Sequence, residues 1–273
     1  MHVERTTDRP EDWVAILRED PRATLFLHPR WIEALATAYP RYRPHYLVAH
    51  EDGRVMGVLP LMRGTRYVLS EWLSLPFGAH GGPLVRSDSA PRTVAALGEA
   101  FRKLVSNPRV YRFEMTIYDP PAEWRAALSP AFGACFHDTD THVIDLESLD
   151  TPFRRSAERS LRAAREAKIS VAIESGDAAY DALTRMHEEQ VRNWTGIEPY
   201  ARPVIVSVAA SFGADARLYV ARRDGQALAA CLCLEHEGRE IHPWVSGAVP
   251  ISRDTGAFHL LVDTALRDAA ARG

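Results

Sequence analysis

The sequence has few cysteines and no long apolar run. Its three cysteines, Cys135, Cys231 and Cys233, are too few for a disulfide framework, and no second group of cysteine and histidine residues completes a zinc site around the last two. The longest apolar stretches, 204–212 and 227–234, fall far short of the ~20 residues that a membrane-spanning helix needs. These absences predict a reducing compartment, no bound metal and no transmembrane segment.

A large excess of charge and a leader peptide are also missing. The formal net charge is -3, so the chain is not a globally basic protein; we expect no DNA partner, and any polyanion must meet a local basic patch. Residues 1–10 are charged and lack the apolar core of a secretory signal, which predicts a cytoplasmic protein. Hydrophobic residues make up 46% of the chain and charged residues 25%, the balance of a soluble globular protein.

An internal repeat with a period of 172 residues is the most informative feature of the chain. The segment 46–53 aligns with 218–225, and each reads as a strand that ends in an Asp-Gly turn. A second apolar run follows each turn, at 55–62 and 227–234. Asp-Gly between two strands is a strong hairpin signal, because it suits the type I′ turn. Each copy is therefore predicted to contain a β-hairpin at the same place.

The elements around the two hairpins also match in order. Helices precede each hairpin, at 11–39 and 177–212, and a third strand follows it, at 66–75 and 240–249. A glycine-bearing loop then leads to an amphipathic helix, at 91–105 in the first copy and 256–271 in the second. The first copy continues with a strand, a helix and a last strand at 110–118, 122–132 and 135–146. We therefore predict two domains of one α/β (α+β) design, 1–148 and 149–273, the second lacking its C-terminal strands by about 40 residues.

A basic segment lies between the two copies. Thr151 and Pro152 supply a cap and a first-turn proline, which predicts a helix to about Lys168. At 100° per residue one face is apolar, and the opposite face carries Arg155, Arg159 and Arg162. This face is either solvated, with ion pairs from Arg162 to Glu158 and Glu166, or a contact for phosphate or tRNA.

Common catalytic motifs are not found. The segment 187–191 begins like a zinc-protease motif but has Val191 in place of the second ligand, so it is interpreted as an ordinary helix surface. The sequence has no G-x-S-x-G elbow and no phosphate-binding G-x-x-x-x-G-K-[ST] loop, which excludes the corresponding hydrolases and nucleotidases. His242 stands at the end of a predicted strand, where it is either a base or a structural residue.

The order of these elements resembles the GNAT acyltransferase core, and tandem GNAT modules are the hallmark of the FemABX aminoacyltransferases. The chain resembles that family over about 240 residues. The residues that carry the resemblance are Trp31, 116–120, the basic helix 160–168, Arg202-Pro203 and 218–225. FemAB-related proteins of exopolysaccharide clusters are similar through 75–83 and 243–246. The resemblance implies two tandem GNAT-like acyltransferase modules, each with a mixed, mostly antiparallel sheet flanked by helices.

The function that the resemblance implies is ribosome-independent formation of a peptide bond. Aminoacyl-tRNA is the co-substrate, no cofactor is required, and an amine accepts the amino acid, in the best-known members a stem-peptide amine of a peptidoglycan precursor. Exopolysaccharide and natural-product acceptors stay open as well. A lipid-linked acceptor would bring the chain into peripheral contact with a membrane.

Site residues are implied in the same way. Arg202 would hold a precursor phosphate, and Asp119 would contact the acceptor. The alternatives are a surface residue before a proline and the cap of the helix that follows Pro121. In GNAT-like sites backbone N–H groups usually meet the oxyanion, so no catalytic side chain is assigned. The substrate-binding candidates are Arg202, Asp119, Trp244, Ser246 and His242, and the tRNA or phosphate candidates are Arg155, Arg159 and Arg162.

Three positions depart from the family pattern. Leu35 stands where a lysine is common, 251–255 replaces a tyrosine-bearing loop, and a late Phe-Lys segment would follow Gly273. Two alternatives therefore stay open. One is a GNAT N-acyltransferase that uses acyl-CoA, although Phe258 occupies the last small position of its Q/R-x-x-G-x-G/A loop. The other is a non-catalytic tandem module that binds an envelope precursor or a partner.

Overall fold

A computed structural model describes residues 1–77, 79–87, 90–132, 136–149, 154–195 and 198–272. Their contacts separate two units, Met1–Asp140 and Thr141–Gly273. The domain boundary predicted between residues 148 and 149 stays a prediction. None of the described helices is long and apolar enough to cross a bilayer.

The first unit is a mixed sheet with its helices. Its strands are β1 (His2–Thr6), β2 (Tyr42–Glu51), β3 (Arg54–Arg66), β4 (Leu69–Ser74), β5 (Leu84–Val85) and β6 (Val110–Met115). Its helices are α1 (Trp13–Glu19), α2 (Pro29–Ala38), α3 (Ala90–Val105) and α4 (Ala122–Phe132). The strand order is β1-β2-β3-β4-β6, with β5 paired to β3. All these pairs are antiparallel except β4 with β6, which are parallel.

Alternate residues of this sheet face different helices, as the two-residue period of a strand requires. Leu47, Leu59 and Trp72 pack in one core with Phe101 of α3 and Trp124 of α4. Tyr46 points to the other face, where its ring lies 5.0 Å from that of Trp13 in α1. The first unit therefore buries both faces of its sheet, which explains why its central strands are apolar on nearly every residue.

The second unit is an antiparallel sheet in the order β10-β9-β8-β7. Its strands are β7 (Ser170–Glu174), β8 (Ala216–Arg223), β9 (Gln226–His236) and β10 (Glu240–Ala248). Its helices are α5 (Arg155–Glu166), α6 (Asp177–Val191), α7 (Arg202–Phe212), α8 (Ser252–Thr255) and α9 (Ala257–Arg272). Ala164 of α5 and Leu261 of α9 pack against Tyr219 and Cys231 of the sheet. Helices α6 and α7 also contact the sheet, α6 chiefly at β10 and α7 at β8 and β9.

The repeat predicted from the sequence is confirmed in its local geometry. Asp52-Gly53 and Asp224-Gly225 both have positive φ at the two turn residues, 51° and 76° in the first and 51° and 79° in the second, as a type I′ turn requires. Each hairpin also has a register shift, between Ala49 and His50 and between Ala221 and Arg222. These shifts lie 172 residues apart, like the turns, so the two units repeat even their irregularities.

Other expectations differ from the structure. The last strand predicted at 135–146 is wrong, because the described part, 136–145, has no regular secondary structure and Leu146–Ser148 form a 3-10 turn. Strands β1 and β7 were not expected, and the loop at 251–255 contains the short helix α8. The predicted cap at Thr151-Pro152 lies outside the described residues; helix α5 is described from Arg155.

Candidate functional site

Strand β10 carries three of the predicted substrate-binding residues and is bulged between them. The register shifts between Pro243 and Val245, so Trp244 is the extra residue. His242 pairs with Leu234 and lies inside the strand, whereas the sequence had placed it at a strand end. A bulge re-aims side chains, and this one turns Trp244 toward Tyr200, with 5.1 Å between the ring centroids.

Ser246 does not share this face. It pairs with Cys231, which packs with α9, and directly paired residues of neighbouring strands point to the same side of the sheet. The side chain of Ser246 therefore lies on the α9 face. Its carbonyl oxygen accepts a hydrogen bond from His187 of α6 instead, so strand β10 contributes a side chain at Trp244 and a backbone acceptor at Ser246.

Helix α6 can approach β10 because residue 247 is glycine. A Cβ at Gly247 would lie 2.5 Å from the backbone nitrogen of His187, which leaves no room for any other residue. This contact buries His187. The sequence interpretation of 187–191 as an ordinary helix surface is therefore wrong at His187, because a one-sided helical pattern does not reveal a polar side chain that is satisfied in the core.

Both ring nitrogens of His187 have a backbone partner. Nδ1 lies 3.0 Å from the carbonyl oxygen of Ser246, and the N–H of Tyr200 donates to Nε2 at 3.3 Å. A carbonyl only accepts and a backbone N–H only donates, so His187 is the neutral tautomer with its proton on Nδ1. Burial lowers the pKa of His187 below its usual range, which agrees with this assignment.

His187, Tyr200 and Trp244 form one aromatic cluster. The His187 and Tyr200 rings are 5.7 Å apart and nearly parallel, at 12°. Tyr200 is only partly buried and stands just before α7, so the cluster reaches the surface next to the start of that helix. Through its hydrogen bond with the N–H of Tyr200, His187 thus positions the segment just before Arg202.

Arg202 is bound to two aspartates. It begins α7, and its guanidinium donates to Asp177 at 2.6 Å and to Asp181 at 2.5 Å, both on α6. These hydrogen bonds, that to Asp177 first, raise the pKa of Arg202. The group carries one positive and two negative charges, so a phosphate would have to compete with two carboxylates for the guanidinium.

The arginines of α5 have a different environment. Leu161 and Ala164 are buried, as the helical period predicted. Arg155, Arg159 and Arg162 are exposed, and none of them has an ion pair within the described part of the chain. The pairs expected from Arg162 to Glu158 and Glu166 are therefore not formed. The exposed guanidinium groups keep their hydrogen-bond donors available.

A pocket lies within the first unit. Its wall includes the ion pair of Asp20 with Arg22 and the aromatic rings of Tyr118 and Trp124. The other lining residues are Thr24, Leu27, His80, Gly81, Pro83 and Ile117. The carboxylate of Asp20 is buried and accepts from the backbone N–H and from Nε of Arg22, each at 3.0 Å. The same guanidinium lies 4.1 Å from the ring centre of Trp124.

His80 faces Tyr118 across this pocket. The two rings are stacked at 5.2 Å and 30°, and burial lowers the pKa of His80. The loop that carries His80 is held to the end of β6, since Gly81 donates its N–H to the carbonyl of Thr116 at 2.7 Å. Its tight path explains the glycine, because a Cβ at Gly81 would collide with the backbone of Ser74.

Asp119 follows Tyr118 at the surface. Its φ is 40°, a conformation that aspartate tolerates better than most residues. No hydrogen bond joins its carboxylate to α4 or to any other described residue, so it is not seen as the cap of that helix. Asp119 thus belongs to the first unit, whereas Arg202, His242, Trp244 and Ser246 belong to the second.

Comparisons with known proteins agree with this architecture. Residues 152–273 match the family model of the acetyltransferase (GNAT) domain. A crystal structure of FemX is similar at a TM-score of 0.70 and 12% identity, over 99% of this chain and 86% of that one. The fold is a tandem GNAT fold. A tandem GNAT protein from the clavulanic acid biosynthesis pathway is also similar, at a TM-score of 0.53, 14% identity and coverage of 99% and 86%.

A third similar structure is the C-terminal domain (DUF2156) of a putative lysylphosphatidylglycerol synthetase from Agrobacterium fabrum. It has a TM-score of 0.56 and 14% identity, over 88% of this chain and 71% of that one. No curated protein sequence matches the chain. The predicted tandem GNAT design is therefore confirmed as a fold, while these identities are too low to transfer a substrate.

The loop before α9 is where an acyl-CoA-dependent GNAT module would hold the pyrophosphate of its cofactor. Here Gly256 has a φ of 69° and faces the backbone of α5, where a Cβ would collide with the carbonyl of Ser160. Ser252 accepts the N–H of Phe258 through its hydroxyl at 3.2 Å. Helix α5 thus covers the glycine of this loop. The described residues contain no group of three or more metal-ligating side chains.

Sequence reasoning missed His187, Tyr200 and the Asp20–Arg22 pair. The pair had a signal, because Asp20 precedes Pro21, and an aspartate in such a turn typically accepts the backbone N–H two residues further on. His187 and Tyr200 had none, since 13 residues separate them and only the bulge in β10 brings Trp244 to the same cluster.

Proposed function

We propose that this tandem GNAT chain is a FemABX-like aminoacyltransferase, which moves an amino acid from aminoacyl-tRNA to an amine acceptor in the cytoplasm. The observation that carries the proposal is the row of exposed arginines on α5, Arg155, Arg159 and Arg162, which lack ion pairs within the described residues. Guanidinium groups on one helix face suit the phosphates of an RNA backbone. The similarity to FemX over nearly the whole chain supports the same function.

The proposed reaction needs no external activation. The amine nitrogen of the acceptor attacks the ester carbonyl carbon, a C–N bond forms, and the C–O bond to the tRNA breaks. The terminal ribose oxygen leaves as a hydroxyl and takes up the proton that the amine loses. The ester is already reactive, so the chain has to align the two substrates and stabilise the oxyanion, and alignment alone contributes several kcal/mol. We assign no side chain as the base.

The acceptor site that we propose in the second unit centres on Trp244 and Tyr200. Their rings form a half-exposed aromatic wall beside His242, and the buried His187 fixes the wall from behind. Arg202 stands next to it at the start of α7 and would bind an acceptor phosphate by exchanging Asp177 and Asp181 for it. In this proposal the carbonyl of Ser246 holds His187 in place. The acceptor contact expected for Asp119 stays a prediction.

The acyl-CoA alternative is disfavoured by the loop before α9. A pyrophosphate bound there needs an open glycine and free backbone N–H groups at the helix start. Gly256 is covered by Ser160, and the N–H of Phe258 is already bonded to Ser252. The glycine and one backbone N–H of this loop are therefore already in contact with other groups of the chain.

A transfer assay tests the proposal. The purified chain is incubated with tRNA charged with radiolabelled amino acids and with amines that include peptidoglycan precursors, and acetyl-CoA is offered in parallel. We expect label in an amide-linked product and no consumption of acetyl-CoA. Consumption of acetyl-CoA with no aminoacyl transfer would show that the chain is an acyl-CoA-dependent enzyme. Precursor binding without either reaction would show a non-catalytic module.

A further inference from the structure

The turn between β3 and β4 carries two large apolar side chains in water. Tyr67 is 94% exposed and Val68 is 77% exposed, and Leu69 behind them is also exposed. Arg66 pairs with Leu69, so Tyr67 and Val68 form the tip of a tight two-residue hairpin. Tyr67 has a φ of 55°, in the left-handed region that is unfavourable for a residue with a Cβ.

Three other hairpins of the same chain have different residues at the turn. Asp52-Gly53 and Asp224-Gly225 occupy the β2–β3 and β8–β9 turns, and Glu237-Gly238 occupies the β9–β10 turn of the second unit. The β9–β10 turn is the repeat counterpart of the β3–β4 turn. The first residue of each of these turns also has a positive φ, but it is polar, and the glycine that follows it adopts the turn conformation at no steric cost. Tyr67 and Val68 therefore expose apolar area at a turn whose counterparts carry a polar residue and glycine.

Four arginines without carboxylate partners lie on this hairpin and on the segments beside it. Arg66 adjoins it, and the carbonyl of Arg109 accepts the N–H of Ser70 at 2.8 Å, which places Arg109 beside the start of β4. Arg63 and Arg43 stand directly opposite each other on β3 and β2, a pairing of like charges that is unfavourable unless an anion joins it. None of these four arginines has an ion pair among the described residues.

Two carboxylates of the adjacent strands β4 and β6 have other partners. Glu71 is buried and accepts from the hydroxyl of Tyr42 at 2.9 Å. Glu114 accepts from Arg112 at 2.7 Å. The tip region therefore has an uncompensated positive charge around an apolar, aromatic centre.

We propose that the β3–β4 tip inserts into the surface of an anionic phospholipid bilayer. Tyr67 and Val68 enter the interfacial region, where tyrosine is favoured, and the arginines of the hairpin and its neighbours bind lipid phosphates. The lipid surface is favoured over a protein partner because the tip protrudes as two almost fully exposed residues, and a fluid interface accepts such a shape without a matching cavity. This inference goes beyond the proposed aminoacyl transfer and does not depend on it.

Vesicle sedimentation tests the proposal without any substrate. The protein is mixed with vesicles of phosphatidylcholine alone, and with vesicles that also contain phosphatidylglycerol at about 30%. We expect retention on the anionic vesicles to exceed that on the neutral ones by about tenfold, and to fall at about 0.5 M salt because the phosphate contacts are screened.

The decisive variant improves the turn while it removes the apolar tip. Tyr67→Gly/Val68→Ser relieves the positive φ, so its melting temperature should stay the same or rise, and its retention on anionic vesicles should fall about tenfold. Arg66→Ser/Arg109→Ser should reduce the preference for anionic over neutral vesicles. Val143→Ser removes an apolar side chain that is 70% exposed in the second unit and should leave retention unchanged.

Three results would overturn the proposal. The first is wild-type protein that stays in the supernatant with both kinds of vesicle. The second is unchanged retention of Tyr67→Gly/Val68→Ser. The third is a concentration-dependent dimer in sedimentation velocity, lost in that variant, with no vesicle binding, which would assign the tip to a second copy of the chain.

Discussion

Gly256 and the backbone carbonyl of Ser160 are in direct contact, and this contact seats helix α5 on the start of α9. Gly256 ends α8 in the left-handed conformation, with a φ of 69°, so two independent constraints require glycine there. The contact joins the helix that carries the exposed arginines to the loop that would hold CoA in other GNAT modules. One glycine therefore determines how closely the basic helix approaches this loop.

Substitution of Gly256 should be much more costly than substitution at other left-handed glycines. Gly256→Ala adds backbone strain and a collision with Ser160, so we expect the free energy of unfolding to fall by about 3 kcal/mol or more. Gly53→Ala is the matched control, with a φ of 76° and no atom within 4 Å of the new Cβ, and should cost only about 1 kcal/mol. Urea denaturation of both variants measures the difference. Equal losses would show that α5 shifts freely away from α9.

The neutral His187 should make stability depend on pH. Its pKa is lowered in the folded chain, so below about pH 6.5 the unfolded chain binds a proton that folded His187 does not. The stabilisation is therefore complete above that pH and is lost as the pH falls. His45, His80 and His236 are also partly or fully buried with lowered pKa and act in the same direction.

His187→Asn isolates the contribution of this residue. Asparagine keeps a donor for Ser246 but removes the acceptor for the N–H of Tyr200, so we expect a loss of about 1–3 kcal/mol at pH 8. Between pH 6.5 and 5 the variant should lose less stability than the wild type, by up to about 1.4 kcal/mol per pH unit, because one proton is no longer coupled to unfolding. A parallel pH series of denaturation curves measures this. Identical slopes would mean that His187 is protonated in the fold.

The sequence predicted the hairpins well because their causes are local. Asp52-Gly53 and Asp224-Gly225 set the turn type, and the turn type sets the register of the two strands that flank it. The amphipathic helices α3 and α9 were predicted within one residue at each end, because a helix that buries one face has apolar residues at a period of 3.6.

The remaining features depend on distant residues. Strands β1 and β7 are short, mostly exposed edge strands that form by pairing with β2 and β8, and their own sequences carry little apolar alternation. The last strand predicted at 135–146 failed for the opposite reason, because a β-like composition without a described partner strand did not suffice. The clusters around Trp244 and Trp124 arise only when separate elements meet, so sequence spacing could not reveal them.

The two aspartates should control whether Arg202 is available to a phosphate. Asp177→Asn/Asp181→Asn removes both competing charges while it keeps polar side chains at the surface. If Arg202 binds the acceptor phosphate, we expect the double variant to bind a UDP-linked precursor several-fold more tightly, and Arg202→Ala to weaken that binding. Isothermal titration measures both. Affinity that survives Arg202→Ala would remove this arginine from the site.

The buried ion pair of Asp20 with Arg22 should contribute more to stability than the exposed pair of Glu33 with Arg9. Asp20→Asn leaves Arg22 without its carboxylate next to Trp124, so we expect a loss of about 1–3 kcal/mol in the free energy of unfolding. Glu33→Gln breaks the exposed pair with Arg9 and should cost less than about 0.5 kcal/mol. Thermal and urea denaturation of the two variants test this. If Asp20→Asn lost no more stability than Glu33→Gln, water would be replacing the carboxylate as the hydrogen-bond partner of Arg22.

The salt dependence of tRNA binding should report the arginines of α5 directly. Each phosphate contact that is lost lowers the slope of log affinity against log salt by about 0.7–0.9, so Arg155→Ser/Arg159→Ser/Arg162→Ser should lower it by about 2–3. The buried side of α5 is untouched by these changes, and its packing through Leu161 and Ala164 should keep the melting temperature near that of the wild type. Arg18→Ser, on an exposed position of the first unit, is a single-charge control and should leave the slope unchanged. Filter binding across a salt series measures all three proteins, and an unchanged slope in the triple variant would make this helix face a solvated surface and remove the main support for tRNA as the donor.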